Sequence, residues 1–170
     1  ELYKMFFNFT TIRAYMVLGE FEKAQLLCMK LIKLTQDFYR ILDKTEATVL
    51  LVILKWIMGE KKEALVMLQI SLSDMESYRF IRVFADEGKA ILPILKRIIK
   101  KSKNENLLKP NYRYLHEIYL AAYDQSRRHK GYFLYFRAKT CKAFQSAYQK
   151  LDVNNAMVAV LRAKELGLID

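Results

Sequence analysis

The chain has 170 residues and 53% of them are hydrophobic, so it can bury a sizeable core and is not a disordered segment. Its 5 glycines and 2 prolines are too few for the many turns of an all-β fold, and this scarcity favours long helices. The two cysteines, Cys28 and Cys141, match neither a metal-binding nor a disulfide spacing, which indicates a reducing compartment, and we expect a cytoplasmic protein.

The net charge of +11 is unevenly distributed along the chain. Residues 1–78 hold ten lysines and arginines and ten acidic residues, whereas residues 79–170 hold nineteen and eight. The second part therefore carries the whole excess of positive charge, which is typical of a surface that meets phosphates. A solubilising role or an anionic membrane surface would produce the same balance.

Neither a membrane span nor a leader is predicted. The most apolar stretch, residues 47–58, contains Lys55 and is too short to cross a bilayer. The chain starts without a basic segment followed by an apolar run, so we expect no signal peptide. It also opens in the middle of a helical pattern without Met, and we expect a fragment of a longer protein.

Two segments forty residues apart share one pattern. Gly-Glu pairs at 19–20 and 59–60 each separate two apolar stretches, and Ala24 and Ala64 follow at the same offset. A glycine can end one helix in a left-handed conformation, and the acidic residue after it suits the next helix N-terminus. The pattern predicts a repeated helical hairpin, as in tetratricopeptide-like solenoids. The predicted helices span residues 2–18, 21–39, 43–58 and 61–77.

Apolar residues at helical spacing predict which faces of these helices are buried. The expected core stripes of the second and fourth helices are Ala24, Leu27, Cys28, Leu31 and Leu34, and Ala64, Met67, Leu68 and Leu72. The apolar run at 50–54 leaves little polar face, so we expect the third helix to be buried between its neighbours.

The sequence Arg-x-Phe-x-Asp-Glu-Gly occupies residues 82–88. We expect Asp86 and Glu87 to lie at a helix start, with Pro93 in the first turns of that helix. The segment is similar to the end of the superhelical sensor domain in MalT-like LuxR-family regulators, in which helical repeats precede it and a linker and a DNA-binding domain follow. The basic run at 96–103 lies near a helix C-terminus, where the helix dipole favours cations, and we interpret it as structural.

The predicted helix at 139–151 divides into two faces. Its apolar face consists of Thr140, Phe144, Ala147, Tyr148 and Leu151, and its opposite face carries Lys139, Lys142, Ser146 and Gln149. Since the helix contains no acidic residue, the polar face suits base edges and phosphates in a major groove. An amphipathic surface helix would show the same periodicity.

The end of the chain resembles a LuxR-type helix-turn-helix. The resemblance rests on Tyr-x-Lys-Leu-x-Val at 148–153 and on a final helix that leads into Glu-Leu-Gly at 165–167. It implies that base-contacting positions fall on Cys141, Lys142, Gln145 and Ser146. In the same register, Leu115, Ile118, Leu120 and Ala122 belong to a first helix, residues 124–126 form its turn, and residues 127–130 start the second helix.

These observations predict an all-α fold of tetratricopeptide-like helical hairpins followed by a small helix-turn-helix bundle. The predicted divisions are a sensor or interaction region at 1–103, a linker at 104–111 and a DNA-binding domain at 112–170. We expect bases to be read by Lys142, Gln145, Ser146 and Gln149, and phosphates to be held by Arg127, Arg128, Lys139 and Lys150.

The predicted function is transcription regulation. The repeats would bind an inducer or a regulatory protein, and the C-terminal domain would bind double-stranded operator DNA as a homodimer. No phosphate-binding loop or catalytic constellation is recognisable, so we expect neither enzyme activity nor a cofactor in this fragment, and no membrane partner.

Two alternatives remain open. Cys141 and the aromatic segment 131–136 favour a protein-interaction module whose helix-turn-helix has degenerated and does not bind DNA. The same aromatics would suit a protein that stacks on RNA or single-stranded DNA.

Overall fold

The structure is a computed structural model that describes the backbone of residues 2–105 and 110–128, and the side chains of residues 8–102 and 110–128. The described residues form helices joined by short turns and contain no strand, which confirms the all-α prediction. The helices are α1 (Leu2–Leu18), α2 (Phe21–Asp37), α3 (Ile41–Met58), α4 (Lys61–Glu76), α5 (Arg82–Ala85), α6 (Leu92–Glu105) and α7 (Tyr112–Arg128). A single 3-10 turn, Gly88–Ala90, lies between α5 and α6.

The first two hairpins reverse direction at glycines, as predicted. Gly19 and Gly59 have φ values of 73° and 94°, a backbone conformation that L-residues with a side chain adopt at a cost. In the second hairpin the amide of Glu60 donates to the carbonyl of Lys55 at 2.9 Å. The equivalent bond of the first hairpin, forty residues earlier, is also 2.9 Å long. The repeat seen in the sequence is therefore a repeat of hydrogen bonding.

The buried positions of α2 and α4 repeat at the same offset of forty residues. Ala24, Cys28, Leu31 and Thr35 in α2 correspond to Ala64, Leu68, Ser71 and Met75 in α4, which additionally buries Leu72. Of the predicted stripes, Leu27 and Met67 are only partly buried. Leu34 is 41% exposed, and the other predicted positions are buried. Thr35 is buried instead, and its hydroxyl donates to the carbonyl of Leu31 at 2.7 Å, which satisfies the polar group locally.

Helix α3 is the central element, as the apolar run at 50–54 predicted. All five residues of this run are buried, and α3 packs against α1, α2, α4 and α5. Lys55, at the end of the run, extends its ammonium group to the carboxylates of Glu60 at 2.6 Å and Glu63 at 3.1 Å. These carboxylates supply the charged partners that a nearly buried lysine needs.

Two predicted helix boundaries are displaced because one chain reversal uses no glycine. Tyr39 adopts the left-handed conformation, with a φ of 54°, and the amide of Arg40 bonds to the carbonyl of Thr35 at 2.8 Å. Helix α2 consequently ends at Asp37 rather than at 39, and α3 begins at Ile41 rather than at 43.

No α-helix begins at Asp86 and Glu87 as expected, because Glu87 precedes only the 3-10 turn Gly88–Ala90. Helix α5 ends at Ala85, and Asp86 lies directly after it. Helix α6 begins only at Leu92, and Pro93 is its second residue, a position in the first turn that needs no amide donor. The acidic pair therefore belongs to the turn between α5 and α6.

Helix α7 packs against α5, α6 and the 3-10 turn. Its buried residues, Tyr114, Leu115, Ile118 and Ala122, belong to the same apolar cluster as the core of the hairpins. The phenol of Tyr114 donates to the carbonyl of Phe80 at 2.7 Å, which fixes α7 to the segment ahead of α5. Three of the residues predicted for the first helix of a DNA-binding bundle thus pack on the preceding helices.

Candidate interaction surfaces

Most of the predicted DNA-contacting residues lie outside the described residues. This applies to the base-reading set and to two of the phosphate contacts: Lys142, Gln145, Ser146, Gln149, Lys139 and Lys150. The segments 106–109 and 129–170, which hold part of the predicted linker and most of the predicted DNA-binding domain, lie outside them too. Their predicted roles stay predictions.

Arg127 and Arg128 are exposed in the last described turn of α7. The expectation that they begin a second helix is wrong, because they continue a helix that starts at Tyr112. The turn expected at 124–126 is wrong for the same reason, since these residues are helical. Arg128 forms an ion pair with Asp124 one turn earlier, an arrangement that supports continuation of the helix.

A buried ion pair joins the first hairpin to the turn that precedes α6. The guanidinium of Arg13 donates to Glu46 at 2.8 Å and to Glu87 at 2.5 Å, so one side chain of α1 bridges α3 and this turn. Glu87 is only 6% exposed. Burial raises the pKa of its carboxyl group above the ordinary value, and the nearby charge of Arg13 opposes that rise.

Gly88 brings the same turn against α7. Its φ is +52°, and a Cβ placed on it would lie 3.5 Å from the backbone nitrogen of Ser126. Phe84 is fully buried, whereas Arg82 and Asp86 form an exposed ion pair. The segment 82–88 is therefore a joint: it contacts α1 through Glu87 and α7 through Gly88.

Helix α6 separates its apolar and basic residues into two faces. Ile94, Leu95, Ile98 and Ser102 are buried, and Lys96, Arg97, Lys100 and Lys101 are exposed. No acidic residue occurs in this helix before Glu105. Within the described part of the chain, Lys96, Arg97 and Lys100 form no ion pair.

Trp56 connects this basic face to α4. The Arg97 guanidinium carbon lies 5.5 Å from the centre of the Trp56 ring, and the Lys61 ammonium nitrogen lies 5.6 Å from it. Both distances lie within the range of a cation–π interaction. This grouping is not visible in the sequence, because Trp56 and Arg97 are forty-one positions apart and no local pattern relates them.

An open groove of about 410 Å³ runs between α3 and α4. Half of its lining residues are apolar: Ile41, Met67, Ile70, Met75 and Tyr78. The other half are polar: the hydroxyl residues Thr45, Thr48 and Ser71, and the charged Lys44 and Asp74. Ile70 and Tyr78 are 56% and 55% exposed. The groove is the candidate surface for the inducer or regulatory protein that the sequence predicts.

The described residues offer little reactive chemistry. Cys28 is buried, and burial raises the pKa of its thiol to about 12, so it is not a nucleophile at neutral pH. Among residues 2–105 and 110–128, no group of three histidine, cysteine or acidic residues could hold a metal ion. None of the helices in this part of the chain is both long and apolar enough to span a bilayer.

Comparisons of the chain with protein-family models, curated proteins and solved structures return no match.

Proposed function

We propose that this chain belongs to a DNA-binding transcription regulator of the LuxR family. Its helical hairpins would form a tetratricopeptide-like scaffold, and its last residues would contact duplex DNA. The observation that carries the proposal is the charge distribution: residues 1–78 are neutral and residues 79–170 carry the whole +11. A polyanion is the partner that such an excess favours.

The packing of α7 makes the proposed DNA-binding unit shorter than residues 112–170. Because Leu115, Ile118 and Ala122 are buried against preceding helices, they are not free to form the core of a separate bundle. We therefore place the start of the DNA-contacting unit after Arg128 instead of at residue 112. In this arrangement Arg127 is an exposed cation next to that unit and would hold a phosphate.

The proposed division of roles follows the predicted amphipathic helix at 139–151. Lys142, Gln145, Ser146 and Gln149 would read base edges, and Lys139 and Lys150 would hold phosphates. Two copies would bind adjacent half-sites. The scaffold would accept an inducer or a regulatory protein in the groove between α3 and α4, where Ile70 and Tyr78 expose apolar surface.

Selection from a pool of random-sequence duplexes tests this function. We expect the wild-type chain to enrich a two-fold symmetric motif and to lose affinity steeply as salt rises. Lys142→Glu should remove the enrichment, whereas Lys30→Glu, a matched change on the exposed face of α2, should preserve it. Absence of any duplex binding at low salt would disprove the proposal.

The second candidate is an interaction module that does not bind DNA. The observation that favours it is the continuous helix through residues 124–126, where a helix-turn-helix would need its first turn. On this alternative, wild-type chain binds neither duplex DNA nor single-stranded DNA nor RNA at low salt. Binding of single strands without duplexes would instead support the stacking mode of the aromatic segment 131–136.

A further inference from the structure

The exposed cations of α6 form one surface with a residue from α4. We define the α6 cationic surface as Lys96, Arg97, Lys100 and Lys61, with the ring of Trp56 between the last-named lysine and Arg97. Trp56 is partly buried, and its ring is within cation–π distance of both cations. The cation–π contacts hold two of the four charges at a fixed position on the scaffold.

The helix dipole does not explain this surface. Lys96 and Arg97 lie at the fifth and sixth positions of α6, counted from Leu92, and thus in its N-terminal half. Cations stabilise a helix in its last turn, where the dipole is negative. Lys96 and Lys100 also repel each other, because like charges four residues apart destabilise an isolated helix. The helix dipole therefore does not explain why Lys96 and Arg97, the first residues of the basic run at 96–103, are cationic.

Nothing within the described residues neutralises the surface. Lys96, Arg97 and Lys100 lack a carboxylate partner there. The acidic residues closest to Lys61 in the sequence, Glu60 and Glu63, both bind Lys55. The cations are consequently available to an external anion.

The composition of the surface distinguishes among macromolecular partners. Three of its four cations are lysines, and lysine is depleted where proteins bind one another. Protein–DNA interfaces, in contrast, are strongly positive and take most of their hydrogen bonds from phosphate oxygens. Uninterrupted positive charge on one helical face matches a backbone of regularly spaced phosphates.

We infer that the α6 cationic surface contacts the phosphate backbone of duplex DNA, next to the segment bound by the C-terminal residues. The inference rests on the proposed function, since it adds a second contact to the same ligand. It assigns to the scaffold a sequence-independent share of the affinity, with base reading left to residues 139–151. Phosphate contacts of this kind fix the orientation of a protein on the duplex.

A salt titration of the full chain on a mixed-sequence duplex tests the inference. We compare Lys96→Gln/Lys100→Gln with Lys30→Gln/Lys33→Gln, two exposed lysines of α2 that form no ion pair in the described part of the chain. Both double variants lose the same net charge. The α6 variant should weaken binding equally for every sequence and reduce the slope of log K against log salt by about 2, because two phosphate contacts are lost. The α2 variant should keep the wild-type slope.

The outcomes separate this inference from the proposed function. Equal slopes for both double variants, together with loss of selection in Lys142→Glu, would overturn the inference and leave the function standing. The opposite result, a lower slope in the α6 variant and unchanged selection in Lys142→Glu, would support the surface and overturn base reading by residues 139–151. Binding that depends on Lys96 and Lys100 with phosphatidylserine vesicles, and not with duplex DNA, would assign the surface to a membrane and overturn the inference. Thermal unfolding of each variant verifies that all of them are folded.

Discussion

The two helical hairpins and the helices that follow them are held together in different ways. In the hairpins, buried positions recur every forty residues, and each reversal is local, as at Gly59. In residues 79–128, the decisive contacts join residues far apart in the chain: Glu87 pairs with Arg13 across 74 positions, and Tyr114 bonds to Phe80 across 34. The hairpins are predictable from local sequence, whereas residues 79–128 depend on tertiary contacts that local sequence does not reveal.

Because the second region depends on long-range packing, we expect truncation of a side chain in its core to cause the largest loss of stability. Phe84→Ala removes a fully buried ring from the joint and should lower the free energy of unfolding by about 4 kcal/mol, because a cavity remains. Urea denaturation measures the loss. Val66→Ala, at a 56% exposed position of α4, should change the stability by less than about 0.5 kcal/mol. Similar values for the two variants would contradict the packing of α5.

We expect the next largest loss of stability when the ion pair between Arg13 and Glu87 is removed. Arg13→Ala leaves Glu87 buried without its partner, and we expect a loss of about 2 kcal/mol. This lies below the cost for a fully buried pair because the Arg13 side chain is 34% exposed. In Arg82→Ala the exposed pair with Asp86 is lost, and urea denaturation should show a change within about 1 kcal/mol. Equal losses would mean that Glu87 is not an anchor of the joint.

Glu87 also makes the joint sensitive to pH. Burial raises the pKa of its carboxyl group above the ordinary value of 4.5, so the folded state holds the proton more tightly than the unfolded state. The resulting contribution to stability is complete below pH 4.5 and is lost as pH rises through the folded-state pKa. Wild-type stability should therefore fall relative to that of Glu87→Gln as pH rises from 4.5. Parallel urea-denaturation curves at every pH would show that the carboxyl group is not perturbed.

The hydroxyl group of Tyr114 tests how α7 is attached. Tyr114→Phe leaves the carbonyl of Phe80 without the donor from the buried Tyr114 and should reduce stability by about 1.5 kcal/mol. Tyr123→Phe, at a position of α7 that is 49% exposed, provides the matched control and should have no measurable effect. If the two variants are equally stable, the bond to Phe80 is not formed in solution.

The sequence predicted the hairpins well because each signal is local. Left-handed glycines and an apolar period of 3.6 residues act within a few turns of helix, and the forty-residue offset between Ala24 and Ala64 shows that the same signals occur twice. The reversal between α2 and α3 was predicted two residues too late, because tyrosine rarely adopts a positive φ and Tyr39 therefore does not mark the turn in the sequence.

The predictions for residues 79–128 were wrong where one sequence pattern is compatible with two structures. Adjacent acidic residues suit a helix start, but Glu87 accepts a hydrogen bond from the partly exposed guanidinium of Arg13 on α1. The apolar residues of α7 suit either a separate bundle or the preceding core, and their spacing is the same in both cases. The face of α6 was visible in the spacing of Lys96 and Lys100, but its link to Trp56 required the tertiary structure.

We expect the smallest loss of stability for a substitution in a hairpin turn. Gly59→Ala introduces a side chain at a φ of +94°, where nothing lies within 4 Å, so the cost is backbone strain alone. We expect a loss of about 1 kcal/mol by urea denaturation, with a smaller loss for Gly59→Asn, because asparagine tolerates positive φ better. Since the strain is confined to the turn between α3 and α4, the salt dependence of DNA binding should not change. A change in that dependence would show that the hairpin turn communicates with the cationic surface through the neighbouring Trp56, and that the two regions are less independent than their contacts indicate.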